Sequence, residues 1–430
     1  MATFSKKERV IAAILSATPG LKAFLKDIYI SMNAKLHKKD YIIKLMEEPV
    51  KIKLIDSLTN YDAISESFGG YYDIATLNSK GLLLSHVSTL PSIKLPDASK
   101  SVDIVVTDIN NGSTNKIGKS AAYNWQQGTR LHWLSEDLFV FNDYNSELKT
   151  YQAKVFSVRD NKLTKSFNYP IQAVYKEEYF LSINYRRLLS MRPDYGYRNI
   201  PPLDQAELTN LIDDGIWHVD YKTGNAKLLH SIKDVTNINK KDIFDECTHK
   251  VNHLIIKPDG KGFMFIHRYF QGKRRFDRLM YSDFNTLSVL IDEEYVSHCY
   301  WVDDETILGY LKANGENGYY YLSISGATPM LCPEMTNLNL GDGHPSCFGD
   351  WVIFDSYPDK SRMQKLLLFN HKTKELFCLA ELFQSTKYKN ETRCDLHPRF
   401  STDGSHISFD TVYEGKRRQQ VIDISPIVSF

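Results

Sequence analysis

The sequence predicts an all-β fold, a seven-bladed β-propeller preceded by a short helical extension. Four histidines open similar stretches at intervals of 45, 46 and 53 residues: His253, His298, His344 and His397. A period of about 40–50 residues is typical of propeller blades. From about residue 50 onward, short β-rich runs alternate with Asn, Asp, Gly and Lys turns, as in blade hairpins. The 26 Tyr, 22 Phe and 5 Trp also favour strands.

The N-terminal region, residues 5–45, is the part of the chain with a helical pattern. Apolar residues recur there at three- and four-residue steps, and Pro19 with Gly20 divides the pattern into two short helices. The segment is rich in lysine. Two interpretations remain open: a cap packed on the propeller, or a basic amphipathic helix on an acidic membrane surface or a partner. We place the extension at residues 1–50 and the propeller at residues 51–430.

Seven repeat units follow, and the pattern also predicts how the ring closes. The residues near 50–67 are expected to supply a strand to the C-terminal blade, which removes an exposed sheet edge. The third unit is too long because of the aromatic-rich stretch 188–215, and such a loop usually covers or builds a site. The units lie near residues 70–118, 122–166, 169–232, 250–294, 296–333, 343–383 and 393–425.

One repeat position carries polar side chains in six units. It reads Arg130 and Gln172 in units two and three, followed by the four histidines. Equivalent positions of successive blades converge on one axis, so these side chains are predicted to meet. One interpretation is a set of structural hydrogen bonds between blades. The other is a funnel that binds a metal or an anionic ligand, since imidazole is a base near neutral pH and a ligand for Zn²⁺, Mn²⁺ or Fe²⁺.

Further polar groups are predicted to flank this position. Trp125 and Gln127 precede the inner strand of unit two, where Trp125 either stacks on a sugar or is a buried core residue. Arg268 ends a second strand and is placed to clamp a carboxylate. Arg393 and Asp395 lie beside His397, and Asp395 either orients an imidazole or bonds a turn. The basic runs 273–275 and 416–418 fall in hairpin turns and are interpreted as solvated charge.

Composition and the absence of several motifs exclude other classes of protein. The net charge of +1 gives no reason to expect a nucleic-acid partner. The sequence has no apolar run long enough to span a membrane and no signal peptide, so we expect a cytoplasmic protein, with peripheral contact to the inner membrane left open through residues 5–45. GxGxxG, Walker and GxSxG patterns are absent, and the six cysteines form no CxxC pair.

The segments YNWQQGTRLHWL, MRPDYGY, VNHLIIKPDGKGFMFIHR, DGHPSCFGDWVIFDSYPD and RCDLHPRFSTDGSHISFD resemble a family of bacterial seven-bladed propellers. That family is related to the oligogalacturonate lyases and, more remotely, to TolB-like propellers. The resemblance covers about residues 70–425. The N-terminal helices resemble leader segments of enzymes from capsule and O-antigen gene clusters. RCDLHPR departs from the lyases, in which a Gln and two closely spaced His come together, because it has one histidine.

The resemblance implies a site for an acidic glycan. In such lyases a divalent metal neutralises the uronate carboxylate, a base removes the C5 proton and the leaving oxygen departs. The implied metal ligands, for manganese, zinc or another divalent ion, are His298, His344 and His397. The implied catalytic residues are His253, His298 and Arg268. The implied substrate-binding residues are Arg130, Gln127, Gln172, Trp125, Arg393 and Tyr195.

Three functional hypotheses follow from these observations. The favoured one is a lyase-like enzyme that cleaves an acidic oligo- or polysaccharide by β-elimination, in bacterial surface-polysaccharide metabolism. The second is a propeller that binds a glycan or scaffolds an assembly without catalysis. The third is a sugar-transferring enzyme of capsule or O-antigen assembly, which the absence of a nucleotide-binding glycine loop does not support.

Overall fold

The computed structural model describes residues 19–58 and 65–428 of the chain. Seven antiparallel sheets follow one another along the sequence, which confirms the predicted seven-bladed β-propeller. The first strands of neighbouring blades contact one another in the second half of the chain, so these strands surround the axis. Repeat positions on them therefore lie near each other in space. Among the described residues, no helix has the length and apolar character that crossing a membrane requires.

The extension contains one described helix, α1 (Pro19–Leu36). It begins at the proline that divides the helical pattern, as expected for a residue with a fixed φ and no amide hydrogen. The helix predicted before Pro19 lies outside the described residues. The helical pattern predicted up to residue 45 is wrong at its end, because a short strand, β1 (Ile43–Leu45), follows α1. A second short strand is β2 (Leu54–Asp56).

The first three blades each contain four strands. Blade 1 consists of β3 (Glu66–Phe68), β4 (Leu82–Ser88), β5 (Val102–Asp108) and β6 (Thr114–Ser120). Blade 2 consists of β7 (His132–Trp133), β8 (Leu138–Asn145), β9 (Thr150–Ser157) and β10 (Lys162–Phe167). Blade 3 consists of β11 (Ala173–Tyr175), β12 (Tyr179–Ile183), β13 (Gly215–Asp220) and β14 (Ala226–Ser231).

Blades 4 and 5 follow the same plan. Blade 4 consists of β15 (Thr248–Ile256), β16 (Phe263–Gln271), β17 (Arg274–Ser282) and β18 (Leu287–Glu294). Blade 5 consists of β19 (Val296–Trp301), β20 (Thr306–Ala313), β21 (Glu316–Ser323) and β22 (Met330–Leu331).

The last two blades include strands from both ends of the chain. Blade 6 consists of β23 (Ser346–Phe348), β24 (Trp351–Asp355), β25 (Met363–Asn370) and β26 (Leu376–Phe383), with β1 as a fifth strand on β26. Blade 7 consists of β27 (Arg399–Phe400), β28 (His406–Thr411), β29 (Arg418–Asp423) and β2. The pairing of Leu54 with Ile422 confirms the predicted closure of the ring.

Short helices occupy the connections between blades and within blade 3. The long insertion of blade 3 runs from β12 to β13 and contains α2 (Tyr185–Met191) and α3 (Gln205–Leu208). The Asn184 side chain begins α2 by accepting the amide hydrogens of Arg186 and Arg187. The other helices are α4 (Ile232–Asn237), α5 (Pro333–Thr336) and two 3-10 turns at Asp242–Glu246 and Asn390–Thr392.

The hydrophobic core lies mainly between neighbouring blades. Alternate side chains of a strand point to opposite sheet faces, so each blade has one apolar face for each neighbour. Ile353 and Leu368 of blade 6, for example, share a buried cluster with Phe409 of blade 7. This packing fixes the blades around the axis and thereby fixes the polar side chains of the inner strands.

Candidate functional site

The four histidines meet in one cluster although they come from four blades. The ring centroids of His253 and His298 are 5.7 Å apart, those of His298 and His344 are 3.9 Å apart, and those of His344 and His397 are 4.4 Å apart. All four side chains are buried. We call His253, His298, His344 and His397 the histidine cluster. The convergence expected from the repeat register is therefore present in the structure.

The backbone at the repeat position has an unusual conformation in three blades. Arg130, His253 and His397 have φ angles of 58°, 53° and 44°. Such values are uncommon for side chains larger than glycine and are often found where a site depends on the direction of a side chain. In blade 4 the pairing of β15 with β16 is interrupted between Asn252 and Ile255, and His253 lies in that interruption. The bulge therefore redirects its imidazole.

Tyr71, which the sequence did not single out, lies against the whole histidine cluster. Its ring centroid is 4.8 Å from that of His397, 5.4 Å from His253, 6.1 Å from His344 and 6.4 Å from His298. Its hydroxyl lies 3.1 Å from His253 Nδ1 and 3.2 Å from the Tyr195 hydroxyl. The repeat register was ambiguous in the first unit, so the pattern gave no signal for Tyr71.

Burial favours the neutral form of three of the four clustered imidazoles. Desolvation is the main reason why the pKa of His253, His298 and His397 lies well below its ordinary value. The positive charge of Arg268 adds to this effect at His253, and that of Arg399 adds to it at His397. Each of these three rings therefore carries one nitrogen lone pair at neutral pH, which is what a base or a metal ligand needs.

Part of the histidine cluster forms a candidate metal centre with Asp395. One ligand atom each of His344, Asp395 and His397 lie within 4.8 Å of one another. His344 Nδ1 is 2.9 Å from Asp355 Oδ1, so Asp355 fixes the tautomer that leaves a lone pair on His344 Nε2. That nitrogen and both ring nitrogens of His397 are buried and have no hydrogen-bond partner among residues 19–58 and 65–428. Two imidazoles and a carboxylate fit Mn²⁺ or Zn²⁺.

His298, predicted as a ligand, lies beside this group of three. Its ring is adjacent to that of His344, and its Nδ1 lies 3.1 Å from the carbonyl oxygen of Gly343. Donation from Nδ1 to this carbonyl leaves Nε2 as the acceptor nitrogen. Asp395, for which the sequence suggested an orienting or turn-bonding role, belongs to the group of three candidate ligands.

The long insertion of blade 3 contributes side chains to the site. Arg393 Nε is 2.7 Å from Asp395 Oδ2, and Arg393 Nη1 is 2.7 Å from Asp194 Oδ2. Asp194 also pairs with Arg192 at 2.9 Å. Tyr195 contacts both Tyr71 and the ring of His253. Arg393, predicted to bind substrate, therefore links the candidate metal centre to the insertion.

Arg268 lies near His253 but is already paired. Its Nε donates to Asp277, and its Nη2 donates to the carbonyl oxygen of Val296 at 3.3 Å. It is also the strongest of the charges that lower the pKa of His253. A carboxylate clamp at Arg268 would have to share the guanidinium with Asp277.

The remaining predicted substrate-binding residues contact protein groups. Arg130 makes two hydrogen bonds to Asp73, at 2.8 and 2.9 Å, and a third to the Gln172 carbonyl oxygen. Gln172 Oε1 accepts from the Tyr185 hydroxyl. Trp125 is buried and donates to the Lys94 carbonyl oxygen. Gln127 is buried, and its Oε1 has no hydrogen-bond partner.

With this geometry established, the chain can be compared with known proteins. An oligogalacturonate lyase in complex with manganese has a TM-score of 0.58 and 13% sequence identity, over 90% of this chain and 97% of that protein. The fold is shared with an oligogalacturonate lyase. A second such lyase, from Vibrio parahaemolyticus, has a TM-score of 0.57 and 12% identity over 89% and 96% of the two chains. No protein-family model matches the sequence, and no curated protein is significantly similar to it.

Proposed function

We propose that the protein acts on an acidic oligo- or polysaccharide at the histidine cluster, by a lyase-like β-elimination. The observation that carries this proposal is the convergence of neutral imidazoles next to the buried group of His344, Asp395 and His397. The fold also supports this proposal, because an oligogalacturonate lyase with a similar fold forms a complex with manganese. Acidic surface polysaccharides of bacteria are the substrates that we favour.

The buried donor group defines what a bound cation would do. His344, Asp395 and His397 would hold the ion, with Asp355 and Arg393 orienting His344 and Asp395. When bound, the ion neutralises the uronate carboxylate and so favours loss of the C5 proton. The unpartnered nitrogens of His344 and His397 support this assignment, because buried polar atoms rarely lack a partner.

His253 is the base that we propose for the C5 proton. Its Nδ1 lies 3.1 Å from the Tyr71 hydroxyl, and Tyr71 in turn lies 3.2 Å from the Tyr195 hydroxyl. If Nδ1 donates to Tyr71 and Tyr71 donates to Tyr195, the lone pair of His253 is on Nε2. The lowered pKa keeps this lone pair free of a proton at neutral pH.

A spectroscopic assay tests the elimination. Incubation with oligogalacturonate and Mn²⁺ should produce a C4–C5 unsaturated uronate, which is followed by its ultraviolet absorbance. A chelator should stop the reaction, and Mn²⁺ should restore it. No new absorbance with oligogalacturonate or other uronate-containing glycans would rule out the lyase.

Glycan binding without turnover is the second candidate function. The segment RCDLHPR favours it, because it has one histidine where the oligogalacturonate lyases have two closely spaced ones. Under this hypothesis His298→Ala and His344→Ala change the dissociation constant of a glycan, and the wild-type protein yields no product from the glycan that it binds.

We also propose that α1 makes peripheral contact with an anionic membrane. Phe24, Ile28, Met32 and Leu36 recur every four residues, are 63%, 40%, 57% and 75% exposed, and lie in a lysine-rich segment. Substitution of Ile28 and Met32 by Glu should reduce co-sedimentation with phosphatidylglycerol vesicles. Equal sedimentation of wild type and variant would contradict this proposal.

A further inference from the structure

A buried lysine lies on the inner strand of blade 4, close to the histidine cluster. Lys250 is three residues before His253 on β15, and its side chain is 1% exposed. Within the described residues its Nζ atom has no hydrogen-bond partner. An ammonium group is rarely buried without a counter-ion, because loss of hydration is costly. The Lys250 side chain therefore lacks the counter-ion that a buried ammonium group needs.

The charged groups around Lys250 explain why it has no counter-ion. Asp277 on β17 uses Oδ1 for Arg268 and Oδ2 for Arg275. Asp194 in the blade 3 insertion uses Oδ1 for Arg192 and Oδ2 for Arg393. The carboxylate oxygens that act electrostatically on Lys250 are thus engaged by four guanidinium groups.

These surroundings favour the uncharged form of the Lys250 amine. Burial is the main cause that holds its pKa well below the ordinary value, followed by the positive charges of Arg268 and Arg192. Asp194 and Asp277 oppose the shift. The lowered pKa favours the uncharged amine, which can both donate and accept a hydrogen bond.

A second polar group without a partner lies two residues further along the strand. Asn252 is 2% exposed, and in the part of the chain that the structure describes neither its side-chain nitrogen nor its oxygen has a hydrogen-bond partner. Residues two apart on a strand face the same side. The side chains of Lys250 and Asn252 therefore lie on the same face of β15, and each has a donor without a partner. Arg192, which acts electrostatically on Lys250, has 31% of its side chain exposed.

We infer that Lys250 and Asn252 form a receptor for a ligand carboxylate beside the histidine cluster, and that the Lys250 amine takes up a proton when the carboxylate binds. The carboxylate supplies the counter-ion that Asp194 and Asp277 do not, and the amine becomes an ammonium ion paired with it. The proton comes from the solvent, and no covalent bond changes. The inference rests on the proposed function in taking the ligand to be a uronate.

The direction of the pH dependence follows from the two states. Without ligand the pKa of Lys250 is low, and with a carboxylate beside it the pKa is higher. Between these two values binding takes up a proton, so affinity should fall as the pH rises. A binding site made only of guanidinium groups would show no such dependence, since arginine stays charged.

Calorimetric titration with galacturonate tests the inference, because the monomer has no glycosidic bond to cleave. The binding enthalpy is measured at pH 7 in phosphate and in Tris, which differ in their ionisation enthalpies. We expect wild type to take up about one proton per ligand. Lys250→Met should bind more weakly and take up none, whereas Lys250→Arg should bind without proton uptake.

Lys257 supplies the matched control. It is also a buried lysine of blade 4, but its Nζ pairs with Asp259 at 2.9 Å. Lys257→Met should therefore leave proton uptake unchanged. Thermal unfolding of each variant establishes whether it is folded. If Lys250→Met does not fold, the proton uptake of Lys250→Arg tests the inference instead. NMR of ¹³Cε-labelled lysine should show one amine, absent from Lys250→Arg, that is neutral at pH 7.

The outcomes separate this inference from the proposed function. Galacturonate binding with equal enthalpies in both buffers, or uptake that persists in Lys250→Arg, overturns the inference while leaving the lyase proposal intact. Proton uptake by a protein that forms no elimination product supports the inference and rules out the proposed lyase activity. A Lys250 amine that is charged at pH 7 in the free protein, or absence of galacturonate binding, overturns the inference.

Discussion

The same repeat position has different surroundings on the two sides of the propeller. In blades 2 and 3 it carries Arg130 and Gln172, whose side chains are hydrogen-bonded to Asp73 and Tyr185. In blades 6 and 7 it carries His344 and His397, which have ring nitrogens without partners. One side of the ring therefore uses the position to connect blades. The other side keeps lone pairs available for a ligand, which is why we place the chemistry there.

The largest expected effect comes from the histidine side. His253→Gln should lower the rate of oligogalacturonate cleavage by about 10²–10⁴-fold, the usual contribution of a general base. The steady-state rate at saturating substrate measures this loss, and unfolding in urea shows whether the free energy of unfolding has changed. Full activity in His253→Gln would show that another group takes the proton.

A substitution on the opposite side of the ring should change the free energy of unfolding. Arg130→Met leaves the Asp73 carboxylate buried without its partner and should lower the free energy of unfolding by about 3–5 kcal/mol. Urea unfolding measures the loss. Adding Asp73→Asn should restore part of it, since no buried charge is then left unpaired. An unchanged rate per folded molecule is also expected, and a specific loss of rate would extend the site into blade 2.

A smaller effect is expected from Asp355, which contacts the site through the His344 ring and through the backbone amides of His344 and His397. Asp355→Asn should weaken Mn²⁺ binding by about 10–100-fold, because the hydrogen bond that orients His344 is altered. Titration with Mn²⁺, followed by electron paramagnetic resonance, measures the affinity. The control is Asp350→Asn on the same blade, where Asp350 pairs with exposed Lys372. Equal affinity in both variants would argue against His344 as a ligand.

A further expected effect concerns pH and the histidines of blades 1 and 2, His86 and His132. Burial lowers the pKa of His86 to about 3 and that of His132 to about 4. Both rings stay neutral in the folded protein while the unfolded chain binds protons below about pH 6.5. Stability is therefore complete above that pH and is lost as the pH falls toward 4, by about 1.4 kcal/mol per pH unit for each ring.

Urea unfolding at several pH values measures this slope, and a matched pair of variants assigns it. His86→Gln should reduce the slope between pH 6 and pH 4 by the contribution of one ring, whereas replacement of exposed His37 should not. An equal slope in wild type and His86→Gln would contradict the assignment.

Much of the fold was predictable because each blade repeats one pattern. The hairpins, the unit boundaries and the closing strand near residue 54 all follow from turn residues and alternation. The strand at 43–45 was missed, since three residues carry too little pattern and α1 directly precedes it. The buried state of Arg417 contradicts its interpretation as solvated charge. Its guanidinium donates to the carbonyl oxygens of Trp125 and Arg393, partners that are far away in sequence.

The candidate site was predictable only where residues follow the repeat. The four histidines share one register and so could be grouped before any coordinates were known. Tyr71 and Lys250 do not share that register, and their importance comes from neighbours in other blades or from the insertion. Whether a buried polar atom has a partner depends on such neighbours, so it could not be read from the local sequence.

The pairing of β2 with β29 has a consequence for how the molecule is assembled. Leu54 and Ile422 lie at opposite ends of the chain, so blade 7 is completed only after almost all of the sequence has left the ribosome. Until then β2 has no partner strand. Pairing β2 with β29 closes a very long loop, so its cost in chain entropy is high. Closure of blade 7 is therefore expected to be a late event in folding. Deletion of residues 54–56 should leave blade 7 without its fourth strand, so that the ring opens at this blade.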